Sequence, residues 1–244
     1  MENNLDQANY VGRLFSDEGG LVEIVTNAAD FLCSPRLLEQ NIDAVLIDVR
    51  FGDVSGLSLI DPLVRRWPKA IIGMISANVS NDNEVLAKAR EKGAHFVLPK
   101  PFSRMDVESI MIDIREFRDK GEMRKHVIII DENPAASVVA RNLLKAAGFR
   151  VTTFQDGFEA VQKFSYDKVD VALVDMIMRR MSGAEMISLI HDVWAGASVI
   201  AMTVDSNLAK KAGADANVPK PFSPQELISV VKELANKDYF CLDC

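Results

Sequence analysis

Short apolar runs alternate with amphipathic stretches along the whole chain. In the second half the runs fall near residues 126–130, 150–154, 170–174, 198–202 and 215–218, and they are rich in Val, Ile and Ala. Between them Leu143, Leu144 and Ala147, then Val161 and Phe164, recur at the spacing of a helix that buries one face. A last helix is predicted near 224–235. Nearly continuous apolar runs such as Val127–Ile130 suit strands covered on both faces, as in a parallel sheet. The alternation predicts a doubly wound α/β sheet, whose ligand site lies beyond the carboxyl ends of the strands at the topological switch point.

The pattern occurs twice. Gly93-Ala-His-Phe-Val-Leu-Pro-Lys-Pro-Phe-Ser103 is echoed by Gly213-Ala-Asp-Ala-Asn-Val-Pro-Lys-Pro-Phe-Ser223, and Ala44-Val-Leu-Ile-Asp48 by Val171-Ala-Leu-Val-Asp175. In each copy a glycine, Gly56 or Gly183, follows that aspartate by 8 residues, and a hydroxyl residue, Ser76 or Thr203, follows it by 28. Landmarks in matched order define a duplication. The predicted organisation is a first domain over 1–119, a linker or helix extension over 120–125, a second domain over 126–238 and a tail over 239–244. The charged stretch Glu116–Lys125 either extends the last helix of the first half or joins the halves as a short linker.

Composition narrows the function classes. At 244 residues, 48% of them hydrophobic, the chain can build two cores of ordinary domain size. A net charge of −7 argues against nonspecific binding to nucleic acid or anionic membrane. No apolar run has the length of a membrane span, and Met-Glu-Asn-Asn is not the start of a secretory signal, so a cytoplasmic protein is expected. Cys33, Cys241 and Cys244 do not make a disulfide framework. The terminal Cys-Leu-Asp-Cys reads as an inert tail, with metal capture or redox chemistry as the alternative. His95, His126 and His191 show no ligand spacing and read as structural or surface residues.

The candidate chemistry lies at the predicted strand ends. In the second half Asp131 and Glu132 follow the first strand, Asp175 ends the third, Thr203 the fourth and Lys220 the fifth. Three clustered carboxylates repel one another unless a cation joins them, and hard oxygen donors with room for water suit Mg²⁺. A lysine offers a compact charge to a phosphoryl oxygen, and a threonine hydroxyl a further donor. An aspartate between a metal and an ammonium can act as a nucleophile toward phosphorus.

The set Asp131-Glu132, Asp175, Thr203 and Lys220-Pro221 resembles the receiver domain of two-component response regulators, a CheY-like, flavodoxin-like fold, and the resemblance covers almost the whole chain in two copies. It implies Asp175 as phosphoacceptor, with Asp48 second, and Mg²⁺ held by Asp131, Glu132 and Asp175, and in the first half by Asp17, Glu18 and Asp48. It implies Thr203 and Ser76 as switch hydroxyls, Lys220 and Lys100 as phosphate partners, and cis peptides before Pro221 and Pro101. A histidine kinase or phosphotransfer protein is the implied phosphodonor. Two folds of similar outline fit less well. A flavodoxin needs a hydroxyl-rich phosphate loop where Asp131-Glu132-Asn133-Pro134 stands, and a haloacid-dehalogenase-type phosphatase needs an acid two residues after its nucleophile, where Arg50 and Ile177 stand.

Spacing shows where each copy departs from the family. Asp131 to Asp175 is 44 residues, but Asp17 to Asp48 is only 31. With Asp17-Glu18 as the acidic pair and Leu21–Val25 as the second strand, the first helix of the first half is expected to be missing. The apolar surface so uncovered would be covered by a second protomer, the other receiver or a partner protein. Thr203 to Lys220 is 17 residues against 24 for Ser76 to Lys100, so the fourth helix of the second half is expected to shrink to about 206–212. Val97 and Asn217 stand where the family's aromatic switch residue is common. Val204 is expected to narrow access to the phosphoryl site, whereas Ala77 is more usual, and Arg179 and Arg180 read as solvated surface or a patch for an acidic partner.

The expected function is a phosphorylatable switch of two receivers without an output domain, not an enzyme beyond slow self-dephosphorylation. The alternatives are an interaction scaffold that works without phosphate and a phosphate sink or relay.

Overall fold

The computed structural model describes residues 1–2, 4–28, 40–77, 79–164 and 167–236. The side chains of 79–81, 83, 163 and 164 fall outside that description, and so do the whole of Cys33, Cys241, Cys244 and the tail over 239–244, so the readings of Phe164 and of the terminal cysteines lie there too. The chain divides into two compact units, Met1–Met123 and Arg124–Cys244.

The second unit is a five-stranded sheet. Its strands are β6 (His126–Ile130), β7 (Arg150–Phe154), β8 (Val171–Asp175), β9 (Ser198–Met202) and β10 (Ala216–Val218), in the order β10-β9-β8-β6-β7, with every pairing parallel. β6 and β9 are buried along their whole length because helices cover both faces. The helices are α5 (Pro134–Ala146), α6 (Gly157–Phe164), α7 (Gly183–Val193), α8 (Ser206–Lys211) and α9 (Pro224–Ala235). Their starts are written in the sequence. Asn133 caps α5 ahead of Pro134, Ser182 and Glu185 form a capping box on α7, and Ser223 caps α9 ahead of Pro224. Leu144 is buried beside Val127 and Ile129, while Leu143 and Ala147 pack at that cluster's edge.

A polar knot closes the foot of β6. The His126 ring is buried, with Nδ1 2.9 Å from the Lys168 carbonyl and Nε2 2.9 Å from Thr152 Oγ1. Arg150 Nη2 also stands 2.9 Å from Nδ1, so a guanidinium donor and a carbonyl acceptor share that nitrogen, while the Thr152 hydroxyl can serve either ring state at Nε2. Burial, reinforced by the neighbouring Arg150 guanidinium, lowers the imidazole pKa to about 4 in spite of Asp167. The folded state therefore binds this proton less readily than the unfolded chain, whose histidine titrates near 6.5. Stability is present above pH 6.5 and falls as pH drops from there toward 4. The loss is expected to reach about 3 kcal/mol. It is measured by following Trp194 in melts at pH 7 and pH 4.5 in a Trp67→Phe background, and His126→Gln should flatten the difference.

The first unit carries the same plan with, among the described residues, three strands in its parallel sheet. β1 (Ala44–Asp48), β4 (Ile71–Ser76) and β5 (Phe96–Pro99) form a parallel sheet in that order, and a two-stranded hairpin joins β2 (Arg50–Phe51) to β3 (Val54–Ser55). The helices are α1 (Leu5–Asp17), α2 (Leu57–Arg66), α3 (Val79–Glu91) and α4 (Arg104–Lys120). α4 opens on a capping box of Ser103 and Asp106 and ends at Gly121 in the left-handed conformation, so it carries much of the charged stretch that follows the first core.

Here the sequence reading needs correction. The helix expected to be missing is present: α1 has 13 residues, is capped by Asn4 and buries Phe15 against Val107, Ile110, Met111 and Ile114. What the sheet lacks, among the described residues, is a full central strand ahead of α1. Residues 21–25, expected to be a strand, form no ladder among the described strands, although Glu2 N–H donates to Val25 O at 3.2 Å. The surface beside α4 that was to be left bare is covered by α1, which removes the reason for placing a second protomer there.

The repeated glycines have a steric cause. Each returns its N–H to the residue after the aspartate, Gly56 to Val49 O at 3.0 Å and Gly183 to Met176 O at 3.4 Å. A Cβ on Gly56 would stand 2.3 Å from Asp48 O, and one on Gly183 2.5 Å from Met176 Cα.

Candidate functional site

The carboxyl ends of β6, β8, β9 and β10 bring the second unit's candidates together. Lys220 lies two residues beyond β10 with its Nζ 2.7 Å from Asp131 Oδ2 and 2.8 Å from Asp175 Oδ2. Asp131 is buried at 1% exposure, so it depends on that ammonium. The remaining oxygens are used to hold the loops: Asp131 Oδ1 accepts from Asn133 N–H at 2.8 Å, and Asp175 Oδ1 from Ile177 N–H at 3.0 Å. Thr203 is buried, and its hydroxyl oxygen accepts from Asp205 N–H at 3.1 Å. The peptides Lys100–Pro101 and Lys220–Pro221 are both cis.

Glu132 turns away from this centre. Its Oε1 accepts from Arg179 N–H at 2.6 Å, and its Oε2 lies 3.6 Å from the Arg179 guanidinium. Arg180 pairs with Asp156 at 2.6 Å. Both arginines thus tie down the loop after Asp175, while Ile177 and Val204 stand 84% and 76% exposed on either side of the site.

Asp131 and Asp175 offer two hard oxygen donors converging on one point, which is what Mg²⁺ takes from a protein when water fills its other positions. Among the described residues no three His, Cys, Asp or Glu side chains already form a metal cage. The donor set fits Mg²⁺ with Glu132 as a third ligand once it leaves Arg179.

The first unit builds the same corner from a different acid. Lys100 Nζ lies 2.6 Å from Asp48 Oδ2, 2.6 Å from Glu2 Oε2 and 3.0 Å from Gln7 Oε1. Asp17 and Glu18 do not reach it. They close the far end of α1, about 20 Å along a 13-residue helix, where Glu18 pairs with Arg104 at 2.7 Å and its carbonyl accepts from Arg115. Asp17 and Glu18 are therefore not the metal-binding pair. Glu2 takes the place of Asp131, 46 residues before Asp48 against 44 in the second unit. The signal was the cap, because Asn4 and Asn133 each stand two residues after the acid and each caps the next helix.

Burial pushes the Asp48 carboxyl upward, only partly offset by its bonds to Lys100 and the Arg50 amide. Burial acts on Glu2 in the same sense, but Lys100 and the Asn4 N–H outweigh it and hold Glu2 below the usual range. Ser76 is buried, and its hydroxyl donates to Asp82 Oδ2 on α3 at 2.8 Å.

Comparison with known proteins agrees with this geometry. The sequence profile of the response regulator receiver domain matches residues 1–111 and again 127–232. The chain belongs to that family, as two receiver domains in tandem. Its curated relatives include the response regulator MprA of Mycolicibacterium vanbaalenii, 26% identical over 120 residues, which covers 47% of this chain and 52% of the relative. The DNA-binding response regulator MtrA of Mycolicibacterium smegmatis is 27% identical over 115 residues, covering 45% and 50%. The chain thus spans about half the length of the curated relatives it matches. Among solved structures, a CheY-like receiver domain protein from Methanospirillum hungatei is 26% identical, with a TM-score of 0.43 over 46% of this chain and 94% of that one. Receivers of this family bind Mg²⁺ at the phosphorylation site and interact with histidine kinases or phosphotransfer proteins. Among the described residues no helix is long and apolar enough to cross a membrane.

Proposed function

We propose that the chain is a cytoplasmic switch that accepts a phosphoryl group on Asp175 and signals by changing its association with another protein. The observation that carries the reading is the single ammonium of Lys220 shared by Asp131 and Asp175. A carboxylate oxygen of Asp175 attacks phosphorus, the bond from phosphorus to the donor imidazole breaks, and the imidazole leaves with its electron pair and takes up a proton. Lys220 moves from the carboxylates onto the phosphoryl oxygens, and Thr203, whose oxygen accepts from the Asp205 N–H, donates its hydroxyl proton to one of them. Mg²⁺ held by Asp131, Glu132 and Asp175 supplies charge neutralisation when bound. The chain catalyses nothing on a separate substrate, and water slowly hydrolyses the acyl phosphate.

The first unit supports a second reading for itself, a receiver that works mainly as a binding module. Ser76, the hydroxyl in the switch position, is tied to Asp82 on α3 at 2.8 Å. Intact mass after treatment with Mg²⁺ and a small phosphodonor, or with beryllofluoride, tests both readings. One adduct, lost in Asp175→Ala and kept in Asp48→Ala, is the expected result, together with a change in assembly. No adduct in the wild type would reduce both units to scaffolds.

A further inference from the structure

The two switch hydroxyls stand in matched frames but meet different partners. α3 and α8 each begin three residues after the hydroxyl, at Val79 after Ser76 and at Ser206 after Thr203. The fourth residue of each helix is therefore an equivalent position. In the second unit it is Ala209, buried in the apolar cluster that holds Ile190 and Trp194. In the first it is Asp82, a carboxylate only 7% exposed.

A buried carboxylate is costly unless it is bonded. Asp82 Oδ2 accepts from the Ser76 hydroxyl at 2.8 Å. Its Oδ1 lies 3.9 Å from the guanidinium of Arg50, whose side chain is exposed and neutralises the acid only weakly. Thr203 meets no such carboxylate among the described residues. Its oxygen accepts from Asp205 N–H, and the Asp205 side chain is taken up by the N–H groups of Asn207 and Leu208. Asp82 also stands close to the first unit's acceptor. Ser76 follows Ile75, which lies opposite Asp48 across β1 and β4, and the Arg50 amide donates to Asp48 Oδ1 at 2.8 Å.

We infer that Asp82 is the specificity residue that keeps the phosphoryl group off Asp48 and so leaves it to Asp175. It is an internal carboxylate that takes the hydrogen bond a phosphoryl oxygen would need from Ser76. A hydroxyl has one proton to give. While Ser76 gives it to Asp82, a phosphoryl group on Asp48 lacks the bond that Thr203 can make in the second unit. It would also bring negative charge toward a carboxylate that little water screens. The inference rests on the reading of Asp175 as the working acceptor and of the first unit as a binding module, and it names the residue that divides the two roles.

The test treats the full chain with Mg²⁺ and acetyl phosphate, reads intact mass and maps the adduct to its aspartate. A carboxylate oxygen attacks phosphorus, and acetate leaves with the electron pair of the broken phosphorus–oxygen bond. Wild type is compared with Asp175→Ala alone and with two double variants. Asp175→Ala with Asp82→Ala gives the first unit the residue of the second. Asp175→Ala with Asp82→Asn keeps an acceptor for Ser76 but removes the charge. Melts followed by Trp67 show whether the first unit stays folded. The expected result is no adduct in Asp175→Ala and uptake on Asp48 in the Asp82→Ala double variant, about tenfold faster or more. Asp82→Asn should gain by less, and adding Asp48→Ala should abolish both gains. Uptake on Asp48 with Asp82 in place overturns the inference, and so does loss of the Trp67 transition in both double variants, since Asp82 would then be structural. If wild type labels Asp175 and neither folded double variant labels Asp48, the inference alone fails. If the double variants label Asp48 while wild type takes up nothing, the reading of Asp175 fails and the role of Asp82 stands.

Discussion

Lys220→Met is expected to destabilise the second unit by about 3 to 5 kcal/mol, the cost of breaking a buried ion pair from one side. Asp131 is buried and Asp175 shares its counterion, so methionine leaves two carboxylates facing each other with no charge between them. A divalent cation should recover part of this loss, because it binds the folded arrangement and not the unfolded chain. Denaturant titration of Trp194 fluorescence with and without Mg²⁺ checks both points. An unchanged midpoint would mean that the ammonium contributes little, and full insensitivity to Mg²⁺ would count against the metal site. The same variant should give no stable phosphoryl adduct, since the groups that would receive the incoming negative charge are gone.

Gly183→Val is expected to cost about 4 kcal/mol or more, in the exceptional class of single substitutions. The two nearest neighbours of an added Cβ are Met176 Cα at 2.5 Å and the Asp175 carbonyl oxygen at 2.7 Å, both backbone, so moving the Met176 side chain, whose Sδ is at 2.8 Å, does not relieve the clash. Relief must move the chain at Asp175 itself, and the variant should lose its adduct along with its stability. Gly56→Val should act alike in the first unit, where the Asp48 carbonyl oxygen is 2.3 Å away. Circular dichroism melts and intact mass read the two effects. A variant that melts normally would show that this turn relaxes more than its contacts imply.

Much of this architecture could be read from the residues alone because the repeats are anchored at strand ends. The runs near 126–130, 150–154 and 198–202 coincide with β6, β7 and β9, and the pairing of Lys220 with Asp131 and Asp175 follows from where the strands end. The start of the first unit misled the reading for a physical reason. Asp17-Glu18 imitates an acidic pair at a strand end, yet Leu5–Asp17 has an apolar face at helical spacing, with Ala8, Gly12 and Phe15 buried. Glu2 was overlooked because the reading looked for an acid at the end of an apolar run, and only Met1 stands before Glu2 in the sequence. The role of Glu132 was hidden too, because its bond to the Arg179 amide depends on how the loop folds back.

The helices after the two hydroxyl residues differ in length, and that difference has a mechanical meaning. α3 has 13 residues and is fastened near its base by the bond from Ser76 to Asp82, whereas α8 has 6 and starts at Asp205, the cap residue whose amide Thr203 holds. At 1.5 Å per residue they are rods of about 20 and 9 Å. The same tilt at the base sweeps the far end of α3 through roughly twice the arc of α8. The two units are thus levers of unequal gearing, one converting a small pull at its foot into a long throw and the other keeping the motion close to its pivot.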